Sequence, residues 1–175
     1  MSILLKVVKD FDKNLKPYIY KIELENGVFL EFTFKKENLK HLLGLHKTIY
    51  NKFFATLIYK NIKNKKITLE KLSKDKAYSD IEMRILNFSR IKDILDIKIG
   101  DEIIVFDKTK LKNCSLNSEY IIFDKLTGET LHLGVAKGKH VFYPETWFIR
   151  EGHGKNKYIE NQLKIKVKQF QKIKK

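Results

Sequence analysis

The clearest pattern near the start of the chain is an alternation of apolar and polar residues that spans residues 18–24 and 28–34. Such a period of two predicts β-strands. The two segments flank Asn26-Gly27, a pair that tolerates the positive φ angles of a tight hairpin turn. The second segment places its apolar residues on one face, and these are Val28, Leu30, Phe32 and Phe34. The sequence therefore predicts an N-terminal β-hairpin.

The period then changes to one typical of helices. Residues 36–43 predict a short helix, and residues 48–60 a longer one that would bury Ile49, Phe53, Leu57 and Ile58. A lysine-rich loop at 61–66 and a helical turn at 68–72 follow. Residues 79–95 predict a further helix, in which Ser79 and Glu82 would form a capping box because each side chain can bond a free backbone N–H.

The second half of the chain returns to alternation. It predicts five strands, at residues 102–106, 119–125, 130–136, 146–150 and 162–170. Helices and strands are segregated along the sequence, which favours an α+β class. We therefore expect a hairpin, then helices, then a four- to five-stranded antiparallel sheet. A length of 175 residues with 43% apolar residues suits a single domain over residues 1–175.

The distribution of charge along the chain predicts an anionic binding partner. The net charge is +15, and it is concentrated in two regions: residues 35–76 carry twelve lysines against three acidic residues, and residues 154–175 carry eight against one. A basic stripe of this kind is expected of a protein that binds nucleic acid or an anionic membrane. A genome rich in A·T pairs offers a second explanation, because it also enriches lysine over arginine. RNA is the polyanion that we favour.

Several functional classes lack their motifs in this sequence. Cys114 is the single cysteine, so no disulfide can form within the chain, and a reducing, cytoplasmic location is expected. No apolar run approaches the length of a membrane span. The five histidines form none of the spacings typical of zinc sites, and no glycine-rich phosphate loop is present. We expect no metal, no cofactor and no membrane partner.

The remaining polar residues suit RNA cleavage without a metal. RNA carries its own nucleophile, the 2′-hydroxyl, so an enzyme needs a base, an acid and donors near the phosphate. His132 lies between Thr130 and Gly134 on the strand face opposite Leu131 and Leu133, and the glycine would leave room for a ligand. A hydrogen-bonded strand histidine is the simpler alternative. His41, within a predicted helix, is the second candidate, with capping or packing as its alternative.

Other residues are candidates for holding the phosphate or the bases. Thr146 and Arg150 share a strand face, and Arg150 can bind a phosphate through two parallel bonds or pair with Glu145 or Glu151. Four lysines would meet the backbone of the RNA or simply face solvent: Lys40, Lys47, Lys52 and Lys137. Tyr143 would stack on a base, although aromatic residues of such a strand more often belong to the core.

Three segments together carry a resemblance to a known family. They are Phe34-x-x-x-Asn38-Leu39-x-His41-Leu42-Leu43-Gly44-Leu45, Thr130-Leu131-His132-Leu133-Gly134 and Tyr143-Pro144-Glu145-Thr146-Trp147-Phe148. The chain resembles the phage/mobile-element branch of the barnase–EndoU–colicin–RelE nuclease superfamily over residues 28–170, with residues 1–27 as an extension. The resemblance implies helices followed by an antiparallel sheet, and metal-independent RNA cleavage that leaves a 2′,3′-cyclic phosphate. It maps the site to His41, His132 and Thr146, where relatives tend to carry Ser-Phe-Phe in place of Thr146-Trp147-Phe148.

The favoured hypothesis is a small endoribonuclease, a toxin or phage-associated effector that cleaves tRNA or mRNA and has an antitoxin or immunity protein as partner. His41 and His132 would share the acid and base roles, and Thr146, Arg150 and Lys47 would hold the phosphate. A non-catalytic RNA- or DNA-binding module would use the same lysines and is the alternative. A structural protein whose lysines only keep it soluble is the third hypothesis.

Overall fold

The computed structural model describes residues 2–152 and 156–175, so His153 and the first two residues of the C-terminal basic run lie outside the described residues. The fold begins with a helix that the alternation did not predict. This helix, α1 (Ile3–Asp10), buries Leu4, Val7 and Val8 and continues into a π-helical turn, Phe11–Leu15. Apolar residues at positions i, i+3 and i+4 explain why this segment folds against the core as a helix.

Five further α-helices follow within the described residues, and most of them are short. They are α2 (Leu39–Leu42), α3 (Ala55–Lys63), α4 (Leu69–Ser73), α5 (Tyr78–Leu86) and α6 (Ile91–Ile94). The strands are β1 (Tyr18–Leu24), β2 (Phe29–Thr33), β3 (Glu102–Val105), β4 (Tyr120–Leu126), β5 (Glu129–Lys137), β6 (Phe142–Glu151) and β7 (Leu163–Lys174). The predicted α+β class is confirmed.

The strands form one antiparallel sheet of seven, in the order β2-β1-β7-β3-β4-β5-β6. The sheet is larger than expected because β7 runs on to Lys174 and pairs with both β1 and β3, which joins the N-terminal hairpin to the later strands. The sheet curls, so that its two edge strands, β2 and β6, approach each other.

Two predicted helices are interrupted. Residues 48–60 do not form one helix: extended backbone at Phe53 and Phe54 separates a 3₁₀ turn, Ile49–Lys52, from α3. Residues 79–95 divide into α5, a 3₁₀ turn at Phe88–Arg90, and α6. The capping box was wrong, because α5 follows Ala77 and has no side-chain cap. Its core-facing residues were predicted correctly, since Ile81, Ile85, Phe88 and Leu95 are all buried.

Both faces of the sheet are covered. The main core lies between the helices and one face, and it includes Leu131, Leu133 and Trp147. A second cluster covers part of the other face, where Phe106 and Ile159 pack on Ile104 and Ile121. No helix within the described ranges is long and apolar enough to cross a lipid bilayer.

Trp147 fixes a helix to the sheet and offers a test of the fold. Its ring is fully buried, and its Nε1 donates a hydrogen bond to the backbone oxygen of Arg84 in α5, at 3.1 Å. We expect Trp147→Phe to lower the free energy of unfolding by about 1–3 kcal/mol, because a buried carbonyl loses its partner and the core loses volume. Urea denaturation followed by circular dichroism measures this. Leu126→Ala, at an exposed position of β4, is the control and should change little.

Candidate active site

A cleft with a volume of about 350 Å³ opens between α5, the segment that follows α2, and the edge strand β6. Among the described residues, its walls carry two imidazoles, three cations and two carboxylates, together with a short loop and two aromatic rings. The polar and charged lining side chains that matter below are His41, His46, Lys47, Asp80, Arg84, Glu145, Thr146 and Arg150. Positive charge beside neutral imidazoles suits a phosphodiester, which is an anion that reacts by proton transfer.

A glycine turn brings the two imidazoles together. α2 ends at Leu42, and Gly44 then takes a left-handed conformation with φ of 73°. A Cβ at Gly44 would lie 2.6 Å from Cγ2 of Ile81 in α5, so only glycine allows this turn to pack so closely on that helix. The turn stacks the ring of His41 on that of His46, with 4.7 Å between the ring centroids.

The surroundings of both rings favour the neutral imidazole. Burial and the nearby Lys40 lower the pKa of His41 below its usual 6.5, while the charge of Glu145 opposes them. Burial, followed by the charges of His41 and Arg84, lowers the pKa of His46 to about 4. Nδ1 of His46 is buried, and no other described residue bonds to it. Near pH 7 both rings are therefore available as proton acceptors.

A bulge in β6 directs two consecutive side chains into the cleft. The register shifts between Gly134 and Val135, which pair with Thr146 and Pro144, so Glu145 is an extra residue without a cross-strand partner. Neighbouring residues of a regular strand point to opposite faces, whereas Glu145 and Thr146 both line the cleft. The hydroxyl of Ser118 and the backbone N–H of Asn117 donate to the Glu145 carboxylate and hold it in place.

Arg84 is the most deeply placed cation of the cleft. Its Nη1 donates to Oγ1 of Thr146 at 3.2 Å. Burial lowers its pKa, although a guanidinium remains charged at any ordinary pH. Asp80, one turn earlier on α5, partly offsets this charge. A partly buried, oriented guanidinium is a suitable donor for phosphate oxygens.

Two further cations flank Arg84. Lys47 follows His46 directly, and burial together with the charge of Arg84 lowers the pKa of its ammonium. Arg150 lies on β6, and its guanidinium carbon is 5.8 Å from the centre of the Tyr158 ring. The two residues approach the cleft from different elements, so a bound anion would meet positive charge on several sides.

His132 does not line the cleft and lies behind its aromatic wall. Its face of β5 was predicted correctly, but the ring is fully buried, and burial lowers its pKa to about 4. It stacks on Phe148 at 4.4 Å, and the side-chain amide of Asn156 donates to its Nε2 at 2.9 Å. The expectation that Gly134 clears space for a ligand was wrong, since a Cβ there would overlap the Ser118 hydroxyl and a methyl group of Thr146.

The other predicted contact residues are dispersed. Lys40 donates to the backbone oxygens of Asn51 and Phe53, at 2.7 and 2.9 Å. Lys52 is exposed on the 3₁₀ turn. Lys137 lies at the far end of β5, with its Nζ 6.0 Å from the centre of the Phe142 ring. Tyr143 borders a separate apolar cavity between β2 and β6.

Comparison with protein families places this chain in a known group. A family model described as "phage-Barnase-EndoU-ColicinE5/D-RelE like nuclease4" matches residues 3–173, essentially the whole chain. The chain belongs to this nuclease family. The match confirms the resemblance, and it begins ahead of the predicted residues 28–170. Comparisons with curated proteins and with solved structures give no match.

Among the eight polar and charged lining residues named above, four were not assigned to the site from the sequence: His46, Asp80, Arg84 and Glu145. His46 lies five residues from His41, a spacing that becomes a ring stack only through the Gly44 turn. Arg84 is one of three arginines in a chain rich in lysine, and that rarity was the available signal. Glu145 points into the cleft only because of the bulge in β6. Pro144 was the available signal for it, because a proline within a sheet is confined to edge strands and bulges.

The low pKa values of the buried imidazoles predict a loss of stability in acid. A histidine with a pKa of about 4 in the folded state and about 6.5 when unfolded binds more protons unfolded. Stability is then fully present above pH 6.5 and falls as the pH drops toward 4. We expect His132→Phe to reduce the slope of the free energy of unfolding against pH, over this range, by up to about 1.4 kcal/mol per pH unit. Urea denaturation between pH 7 and 4 measures it, and an unchanged slope would contradict the assignment.

Proposed function

We propose that this protein is an endoribonuclease that cleaves RNA without a metal ion, by attack of the 2′-hydroxyl on the adjacent phosphorus. The observation that carries the proposal is the convergence, in one cleft, of a solvent-accessible imidazole with a lowered pKa and two guanidinium groups. The nuclease family supports phosphodiester chemistry in general. The choice of RNA rests on the neutral imidazole, which suits a hydroxyl nucleophile supplied by the substrate itself.

His41 is the proposed base. Its ring lines the cleft and is exposed, and its lowered pKa leaves it unprotonated at neutral pH. The nearby carboxylate of Glu145 stabilises the imidazolium that forms when His41 takes the proton of the 2′-hydroxyl. His46 stacks behind it and keeps the ring in one orientation.

The phosphate would be held by Arg84 and Arg150, with the Thr146 hydroxyl between strand and helix as a further donor or acceptor. The 2′-oxygen forms a bond to phosphorus, the bond from phosphorus to the 5′-oxygen breaks, and the products are a 2′,3′-cyclic phosphate and a 5′-hydroxyl. Lys47 is the proposed donor of the proton to the leaving 5′-oxygen, because its lowered pKa makes the ammonium a stronger acid.

His132 takes a different role in this proposal from the one expected from the sequence. Since it is buried beneath Phe148 and Tyr158, we assign it as a positioning residue that supports the aromatic wall of the cleft. We propose the biological setting of the favoured hypothesis: a toxin or phage-associated effector acting on tRNA or mRNA, with an antitoxin or immunity protein as partner.

Replacement of His41 tests the catalytic assignment. We expect His41→Ala to slow cleavage of single-stranded RNA in EDTA by about 100- to 10,000-fold, the usual contribution of one acid or base. The assay follows product ends by mass spectrometry, and a 2′,3′-cyclic phosphate is expected. The matched control is His140→Ala, which removes an exposed histidine from the turn between β5 and β6 and should retain full activity.

A substrate with one 2′-deoxy nucleotide separates this mechanism from others. Cleavage at the substituted position should cease while neighbouring positions are still cut. If the parent protein binds RNA tightly and leaves it intact, the protein is a non-catalytic nucleic-acid-binding module. If cleavage requires a divalent cation or continues at the deoxy position, the mechanism proposed here is wrong.

The charges beside His41 predict the direction of changes in the pH profile. The base must be unprotonated, so kcat/KM should rise with pH through the pKa of His41, below 6.5. Glu145 raises that pKa, so Glu145→Gln should move the acid limb to lower pH. Lys40 lowers it, so Lys40→Met should move the limb to higher pH. Shifts in the same direction for both variants would exclude His41 as the titrating group.

A further inference from the structure

Three apolar residues that the helical period assigned to the core, Ile49, Phe53 and Leu57, lie on the surface instead, and Phe54 lies there beside them. Ile49 is 67% exposed, Phe53 40%, Phe54 82% and Leu57 38%. They fall within nine residues of the chain, and we call them the 49–57 surface. One exposed apolar residue is common in proteins, but a run of four that includes two phenylalanines indicates a binding surface.

The local backbone keeps these side chains outside. Phe53 and Phe54 have extended backbone conformations, so α3 begins only at Ala55 and turns Ile58 and Ile62 toward the core. Lys40 holds the backbone just before α3 in place, because its ammonium donates to the backbone oxygens of Asn51 and Phe53. The ring of Phe54 therefore projects from the start of a helix into solvent.

Positive charge dominates around this surface, and Asp75 is an exception, because its carboxylate accepts a hydrogen bond from the backbone N–H of Ile49 at 2.7 Å. Residues 47–66 contain six lysines and no aspartate or glutamate. Lys52 and Lys60 are exposed within or beside the 49–57 surface. A ligand that meets these side chains would need negative charge together with flat apolar faces, and unpaired nucleotides offer both.

The chain connects this surface to the cleft over a short distance in sequence. Lys47 lines the cleft and Ile49 is two residues further on. Lys40, the direct neighbour of His41, is the residue that bonds to the 49–53 turn. An RNA strand with one phosphate beside His41 would therefore reach this surface within a few nucleotides.

We propose that the 49–57 surface binds unpaired bases of single-stranded RNA next to the phosphate that is cut, with Phe53 and Phe54 as the stacking rings. This inference rests on the proposed function, because the cleft determines where the RNA enters. It predicts single-stranded RNA as the substrate, since the base faces in a duplex are stacked and inaccessible. The surface would also select substrates longer than the two nucleotides that the cleft itself needs.

Binding measurements test the stacking directly. We expect Phe53→Ala/Phe54→Ala, in a His41→Ala background that leaves RNA uncut, to weaken binding of a single-stranded oligoribonucleotide by about 5- to 100-fold. An abasic oligomer of the same length should bind both proteins equally, because it keeps the phosphates and lacks the bases. Phe29→Ala removes a phenylalanine of β2 that is 65% exposed, and it should leave binding unchanged.

A cleavage assay separates this inference from the proposed function. With His41 present, the double variant should lose activity on the oligomer and keep parental activity on a dinucleotide. If neither the parent nor the double variant cuts RNA but the two differ in oligomer binding, base binding by the 49–57 surface is supported and the nuclease mechanism is wrong. If oligomer binding is unchanged, the inference is overturned. It is also overturned if sedimentation shows a dimer that the double variant abolishes, since a second copy would then occupy the surface.

Discussion

The attachment of α5 to the edge strand β6 is the interaction on which the site depends. Two consecutive residues of β6 hold one residue of the helix: Trp147 donates to the backbone oxygen of Arg84, and Thr146 accepts from its guanidinium. Because neighbouring strand residues point to opposite faces, this arrangement fixes Arg84 both on the core side and on the cleft side. The guanidinium is thereby held before any substrate arrives, and an oriented donor loses little freedom on binding an anion.

Two departures from regular backbone complete the cleft around this attachment. The bulge in β6 turns Glu145 toward the same space as Thr146, and the left-handed Gly44 folds His46 back onto His41. Each lies where the chain packs too closely for an ordinary side chain, at Ser118 beside Gly134 and at Ile81 beside Gly44. Regular elements supply the rigid frame, and the irregular positions supply the convergence of charges.

The strands of this fold were accessible from the sequence, whereas α1 and the irregular positions were not. Alternation located the strands and placed His132 on the correct face of β5, because side-chain direction follows from parity alone. Burial of that face could not be predicted, since it depends on residues 106–123 and on Tyr158 and Ile159, which are distant in sequence. The helical period failed at residues 48–60 for a related reason, as the extended break at Phe53 has no proline or glycine to signal it.

In the proposed mechanism, the charge of the cleft would link binding of the substrate to the basicity of His41. In the free protein, burial and the neighbouring Lys40 hold the pKa of His41 down, which keeps the imidazole neutral. A phosphodiester bound by Arg84 and Arg150 would bring a negative charge beside the same ring, and that charge favours the imidazolium. His41 would then be unprotonated before the substrate arrives and more basic once it is bound. Cations close to a general base would normally lower its basicity. Here the substrate would be an anion, and its charge would offset theirs when it binds, so the cations are compatible with His41 acting as the base.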